Sequence, residues 1–112
     1  MSIAGDLIRG HTDAIILARL LRGDSYGYEI NKTISNISSG RFELKEATLY
    51  TAFKRLEEAG FIASYWGDSG AGARRRYYTI TSGGRDACHR LMAEWQETKD
   101  IMDNLLQLEE GK

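Results

Sequence analysis

Apolar residues recur at helical spacing three times in the first half of the chain, and each run ends at residues that stop helices. Ile16, Leu17, Leu20 and Leu21 predict a helix over 13–22, with Thr12 as its N-cap and Gly23 as its stop. Tyr26, Ile30, Ile34 and Ile37 stand at i, i+4, i+8 and i+11, one stripe that predicts a second helix over 26–37 capped by Ser25. Asn36, Ser38, Ser39 and Gly40 follow as a turn-rich connection. Leu49, Ala52, Phe53 and Leu56 predict a third helix over 46–59, with Gly60 at its C′ position. The rest of that helix surface carries Thr48, Tyr50, Thr51, Lys54, Arg55 and Glu58.

The period then changes. Residues 61–66 are short and rich in β-formers, residues 67–73 form a Gly-rich tip, and residues 74–81 are again β-prone, which together read as a hairpin. From 82 to 108 the helical period returns. Cys88, Leu91, Trp95, Thr98, Met102 and Leu105 alternate by three and four residues, an a/d seam over nearly three heptads. Residues 109–112 read as a frayed tail. The chain has 112 residues and lacks proline, internal repeats and any long linker, so one small domain is the natural reading.

Composition narrows the function classes. Hydrophobic residues make up 42 % and charged residues 28 %, an ordinary globular balance. The single cysteine excludes an intramolecular disulfide framework and suits a reducing cytoplasm. The first residues lack the basic and apolar regions of a signal peptide, and no apolar run approaches the ~20 residues of a membrane span, so a soluble, cytoplasmic protein is expected. The net charge of −1 argues against nucleic-acid binding until its distribution is considered. Residues 41–78 hold seven Lys/Arg against five Asp/Glu, whereas residues 94–112 hold two Lys against six Asp/Glu. A basic middle and an acidic end suit a chain with one nucleic-acid face and one solvated helix.

Three helices, a hairpin and a further helix is winged-helix order: mainly α with a β-hairpin wing, a winged helix-turn-helix followed by a long C-terminal dimerisation helix. The third helix buries one face and turns small and polar groups outward, as a helix entering the major groove must. The hairpin places arginines beside glycines, which suits phosphate contact or a narrow minor groove. The segments Asp24-Ser25-Tyr26-Gly27-Tyr28-Glu29-Ile30, Ala47-Thr48-Leu49-Tyr50 and Arg74-Arg75-Arg76-Tyr77-Tyr78-Thr79-Ile80-Thr81 resemble the PadR-like transcriptional regulators. The resemblance runs from about residue 9 to 108. Its single C-terminal helix looks like the small subfamily.

That resemblance implies a homodimer on an inverted-repeat operator in double-stranded DNA, usually as a repressor, and a response to phenolic compounds, hydrophobic drugs or other effectors. Carried over by position, it implies that residues 9–81 form the DNA-binding domain and 82–108 the dimerisation helix. Ser25 and Tyr26 then open the helix that flanks the DNA backbone. Lys45, Thr48, Tyr50, Thr51 and Lys54 belong with the recognition helix, and Arg74, Arg75 and Arg76 with the wing. The chain departs from the family in having Ala47 where Gly is common and Thr51 where Pro is common. Ala47 favours the helix, and Thr51 restores a backbone donor and adds a hydroxyl.

The long helix carries its own argument. About 26 residues span roughly 39 Å, more apolar seam than so small a winged unit covers, and a second copy is the economical cover. Such a dimer sets two recognition helices about one DNA turn apart, ~34 Å. Trp95, with Leu91, Met92 and Thr98 around it, offers a platform for a small hydrophobic or aromatic effector, with dimer packing as its plainer role. Together with Cys88, Met102 and Leu105 these residues make up the expected dimer and effector region, and Cys88 is expected to be buried at the seam. Plainer readings also stand for the rest: Tyr26 as core filler, Thr48 and Tyr50 as ordinary surface, and the arginines as a solvated strand of which alternation lets only some face DNA.

No cofactor is expected. His11 and His89 lack metal-ligand partners at useful spacing, Gly70-Ala71-Gly72 lacks the setting of a dinucleotide loop, and no nucleophile motif or triad stands out, so the chain does not read as an enzyme. Two alternatives to the regulator remain. One is a ligand-binding protein with little DNA affinity, and the other an adaptor that uses Tyr65, Trp66 or the acidic helix end to hold a protein.

Overall fold

The computed structural model describes residues 3–68 and 74–107; the Gly-rich tip at 69–73 and the tail beyond 107 lie outside the described residues. Among the described residues five helices and three strands follow one another: α1 (Ile3–Arg9), α2 (Thr12–Leu20), β1 (Ser25–Tyr26), α3 (Gly27–Ile37), α4 (Glu46–Glu58), β2 (Ile62–Asp68), β3 (Arg74–Ile80) and α5 (Ser82–Leu106). The strands form one antiparallel sheet in the order β1-β3-β2. This is the helix-turn-helix, wing and long terminal helix expected from the hydrophobic pattern.

The core collects the buried stripe of each helix. Ile16, Leu17 and Leu20 of α2, Ile30 and Ile34 of α3, and Leu49, Phe53 and Leu56 of α4 meet under Ile62, Tyr78 and Ile80 of the sheet. Phe53 is 1 % exposed and stacks on the Tyr78 ring at 4.0 Å between centroids. Truncating such a side chain to alanine costs about 3–5 kcal/mol, so Phe53 helps to fix α4 against β3. The first turns of α5 complete the core through Gly84, Ala87 and Cys88.

Three local expectations change. α1 has no counterpart among the predicted elements, and it moves the start of α2. His11 takes the cap position without a side-chain bond, and the Thr12 hydroxyl, expected as the N-cap, donates instead to the Arg9 carbonyl at 2.6 Å. Ser25 does not cap α3 either. It pairs with Tyr78 in β1, is fully buried, and donates its hydroxyl to the Glu29 carboxylate, leaving Tyr26 at the cap. β2 runs two residues further than the expected strand, because Gly67 and Asp68 find partners in Arg75 and Arg74. By contrast Gly60 ends α4 at φ +81°, where a side chain would be strained, as the C′ position requires.

α5 is capped by Thr81, whose hydroxyl oxygen accepts from the Gly84 N–H at 3.0 Å while donating to the Gly60 carbonyl at 2.7 Å. Beyond Leu91 every described residue of α5 is exposed. The helix leaves the winged unit and projects from it, which gives the molecule extents of 64 × 30 × 21 Å.

Candidate nucleic-acid interface

α4 is held from three sides and open on the fourth. Its apolar stripe lies in the core. The turn before it is clamped by Asn31 of α3, whose amide donates to the Leu44 carbonyl at 2.6 Å and accepts from the Leu44 N–H at 2.9 Å. Ser38 closes the same turn by accepting from Phe42 N at 3.0 Å. Arg55 ties α4 to α2 with two bonds to Asp13, one of them Nε to Oδ2 at 3.3 Å. That bond also pushes the Arg55 pKa further up.

The open face carries Ala47, Tyr50, Thr51 and Lys54, all exposed. Lys45 stands exposed at the cap of α4, and Thr48 is half-buried. Tyr50 leans edge-on against Phe53 at 5.4 Å and over the first residue of α3. A Cβ on Gly27 would lie 2.6 Å from its hydroxyl, so glycine there lets the phenol settle between the two helices.

The wing joins α4 through Glu57. This half-buried carboxylate accepts from the Ser64 hydroxyl at 2.8 Å and pairs with Arg76 at 3.4 Å. Strand alternation sorts the three arginines. Arg74 and Arg76 share the sheet face of Tyr78 and Ile80, whereas Arg75 lies on the opposite face, 4.3 Å over the Tyr26 ring. Tyr77 stacks on Tyr65 at 5.6 Å and meets Tyr26 edge-on at 5.4 Å. Tyr65 donates to Asp24 at 2.6 Å. This bond holds the Asp24 carboxyl below the usual carboxylate range, helped by Thr79, and pushes the Tyr65 phenol up.

Among the expected DNA-facing residues, the structure thus brings Thr48, Tyr50, Thr51 and Lys54 onto one helix with Lys45 at its cap, and sets Arg76 beside its C-terminal end, with Arg74 further along the same strand face. Ser25 is buried and its hydroxyl is committed to Glu29, so in this structure it shapes the start of α3. Tyr26 is half-buried and offers its ring to Arg75. Glu57, Asn31 and Asp24 were not singled out from the sequence. Asn31 alone left a hint, as a poor helix former in mid-helix.

The seam residues divide. Cys88, expected at a dimer seam, is fully buried in the core of its own chain, 3.7 Å from the Met92 sulfur, and burial pushes its thiol pKa up. The helical period cannot separate a stripe facing the core from one facing outward. Leu91 packs partly against that core. Met92, Trp95, Thr98, Met102 and Leu105 are exposed, as are Ile101 and Leu106. Trp95 meets the His11 ring edge-on at 5.2 Å.

An open cleft of about 700 Å³ runs between the start of α2, α4 and α5, lined among others by His11, Thr48, Thr51, Arg55, Leu91, Trp95 and Thr98. Residues of α4 and α5 expected to serve separate sites therefore line one cleft. A smaller cleft of about 350 Å³ lies where Arg9, Arg41, Lys45 and Thr48 meet. Among the described residues no three His, Cys, Asp or Glu side chains converge as a metal site, and no helix is long and apolar enough to cross a membrane.

Residues 16–90 match the model of the transcriptional regulator PadR-like family. An uncharacterised protein of Lysinibacillus sphaericus is 48 % identical over 101 residues, covering 90 % of this chain and 93 % of its own. A transcriptional regulator from Clostridium thermocellum has a similar structure, with a TM-score of 0.85 and 43 % identity over 95 % of this chain and all of its own. A PadR family transcription regulator from Clostridium difficile R20291 follows with a TM-score of 0.75 and 38 % identity, covering 86 % of this chain and 98 % of its own.

Proposed function

Since the chain belongs to the PadR-like family of transcriptional regulators, we propose that it is a homodimeric repressor that binds an inverted-repeat operator and answers to a small effector. Residues 9–81 serve as the DNA-binding unit and 82–108 as the dimerisation helix. The observation that carries the reading is the shared face of α4 and the wing. Lys54, Thr51 and Tyr50 stand exposed on a helix of groove-entering size, and Glu57 bolts Arg76 of the wing beside it. On this reading α4 enters the major groove and the wing lies on the adjoining backbone. Lys45, at the α4 cap, takes a phosphate.

The dimer rests on α5. Met92, Trp95, Ile101, Met102 and Leu105 are each about half exposed in the isolated chain, an apolar stripe that a second copy would cover. The effector site is proposed at Trp95, in the cleft that also touches Thr48 and Thr51 of α4. A planar aromatic seated there bears on the recognition helix directly and can favour one dimer geometry over another. The cytoplasm is the proposed setting.

Selection from a randomised duplex pool tests the proposal. Enrichment of an inverted repeat, its half-sites about one turn apart, is the expected result. Enrichment of a single half-site would refute the dimeric reading, and no enrichment would refute specific DNA binding.

A further inference from the structure

One exposed indole lies against two arginines of the wing. The ladder sets Trp66 opposite Arg76 and Asp68 opposite Arg74, so Trp66, Arg74 and Arg76 share a sheet face. The guanidinium carbons lie 5.3 Å (Arg74) and 6.0 Å (Arg76) from the Trp66 ring centroid, within cation–π range. Arg76 is further held 5.9 Å from the Tyr78 ring and 3.4 Å from the Glu57 carboxylate. Trp66 remains 56 % exposed. A tryptophan left so open contributes little to the core, and a threonine or valine would serve the strand as well.

We propose that Trp66 is a positioning residue for DNA binding: it holds Arg74 and Arg76 in place so that both guanidinium groups meet the sugar–phosphate backbone without first being ordered. The inference rests on the reading of this chain as a DNA-binding protein and assigns its wing a specific device. A guanidinium lying over a ring meets it with its flat face and not with its in-plane N–H donors, which suits bidentate contact with phosphate oxygens; of those donors Arg76 commits one on Nη2 to Glu57. An ammonium group has no such division between face and edge. Arginines on a bare strand would lose rotamer freedom on binding, and the indole removes part of that loss beforehand. The face is also the right one, since it continues through Glu57 onto the C-terminal end of α4.

The test is fluorescence anisotropy of a labelled duplex, titrated with salt, on the full chain and its variants. The wild-type chain binds with affinity that falls steeply with salt. Trp66→Leu, or Trp66→Thr where leucine disturbs the hairpin, binds about three- to tenfold more weakly, as expected for two exposed cation–π contacts. Its thermal midpoint stays near that of the wild type. Trp66→Phe recovers most of the loss. In an Arg74→Ala/Arg76→Ala background, Trp66→Leu adds less than about twofold, because a residue that acts through the arginines has nothing left to act on. Wild-type affinity in Trp66→Leu would overturn the proposal. So would an equal loss with and without the arginines, which would mean that the indole meets DNA itself or only supports the hairpin. Absence of salt-dependent binding by the wild-type chain would instead remove the DNA-binding reading beneath it.

Discussion

Replacing Gly84 by alanine tests how α5 is fastened to the winged unit. A Cβ at this position would lie 2.0 Å from the Phe61 carbonyl oxygen and 2.7 Å from Cγ1 of Ile80. The carbonyl cannot swing aside freely, because it accepts the Thr81 N–H at 3.0 Å and lies where β2 begins. The helix must therefore lift, which loosens Ala87 and Cys88 from the core. Overpacking of this kind costs about 1–3 kcal/mol and sometimes more. The obstacle here is backbone, so the upper end applies, offset by less than about 1 kcal/mol from the better helix propensity of alanine. A net loss of about 2 kcal/mol lowers the melting midpoint of a chain this size by roughly 8–12 °C.

Gly83 supplies the internal control. A Cβ there meets nothing nearer than 3.7 Å, so Gly83→Ala keeps the packing and gains a few tenths of a kcal/mol from reduced freedom of the unfolded chain. Circular dichroism melts at one fixed protomer concentration compare the two, since the proposed dimerisation would make the midpoint depend on concentration. Two neighbouring glycines are thus expected to give shifts of opposite sign. A Gly84→Ala midpoint equal to or above that of the wild type would refute the packing argument.

Lys54→Ala weakens duplex binding and lowers the slope of log affinity against log salt by about one, read from anisotropy titrations. Met102→Asp places a charge in the exposed stripe of α5 and shifts the proposed dimer toward monomer in analytical ultracentrifugation, while the circular dichroism of the winged unit is retained. The Asp24–Tyr65 bond acts at both pH extremes. Its lowered carboxyl adds stability above about pH 4 that is lost as the pH falls through the folded value, and its raised phenol adds stability below about pH 10 that is lost as the pH rises through the folded value. Tyr65→Phe should abolish the alkaline part of the effect and reduce the acid part in denaturant titrations across pH.

Much of this fold is written in periodicity. Ile30 and Ile34, or Leu49, Phe53 and Leu56, repeat at a spacing only a helix can bury on one side, and the β-formers around the glycine tip point to a hairpin. Residues whose fate depends on distant partners were less legible. Ser25 looks like a helix cap beside Asp24, but Tyr78 lies across from it and draws it into the sheet. α1 has only seven residues, and Leu7 and Ile8 stay exposed, so no buried stripe announces it. The α5 stripe reads as one continuous seam, yet its first part, Cys88 included, faces the core and only the part from Met92 onward is free. The exposed face of α4 was legible because burial of its other face fixes it, whereas Glu57, which joins that face to the wing, was visible only once Ser64 and Arg76 were brought to it.

On the proposed function, the open face of α4 and the adjoining wing contact DNA. Backbone NMR of the isotopically labelled protein, with and without an operator duplex, tests this contact. The expected result is amide shift changes concentrated at Lys45, Ala47, Tyr50, Thr51 and Lys54 and in the strands at Trp66, Arg74 and Arg76, with little change along 99–106. Shift changes confined to α5, or none on adding duplex, would contradict it.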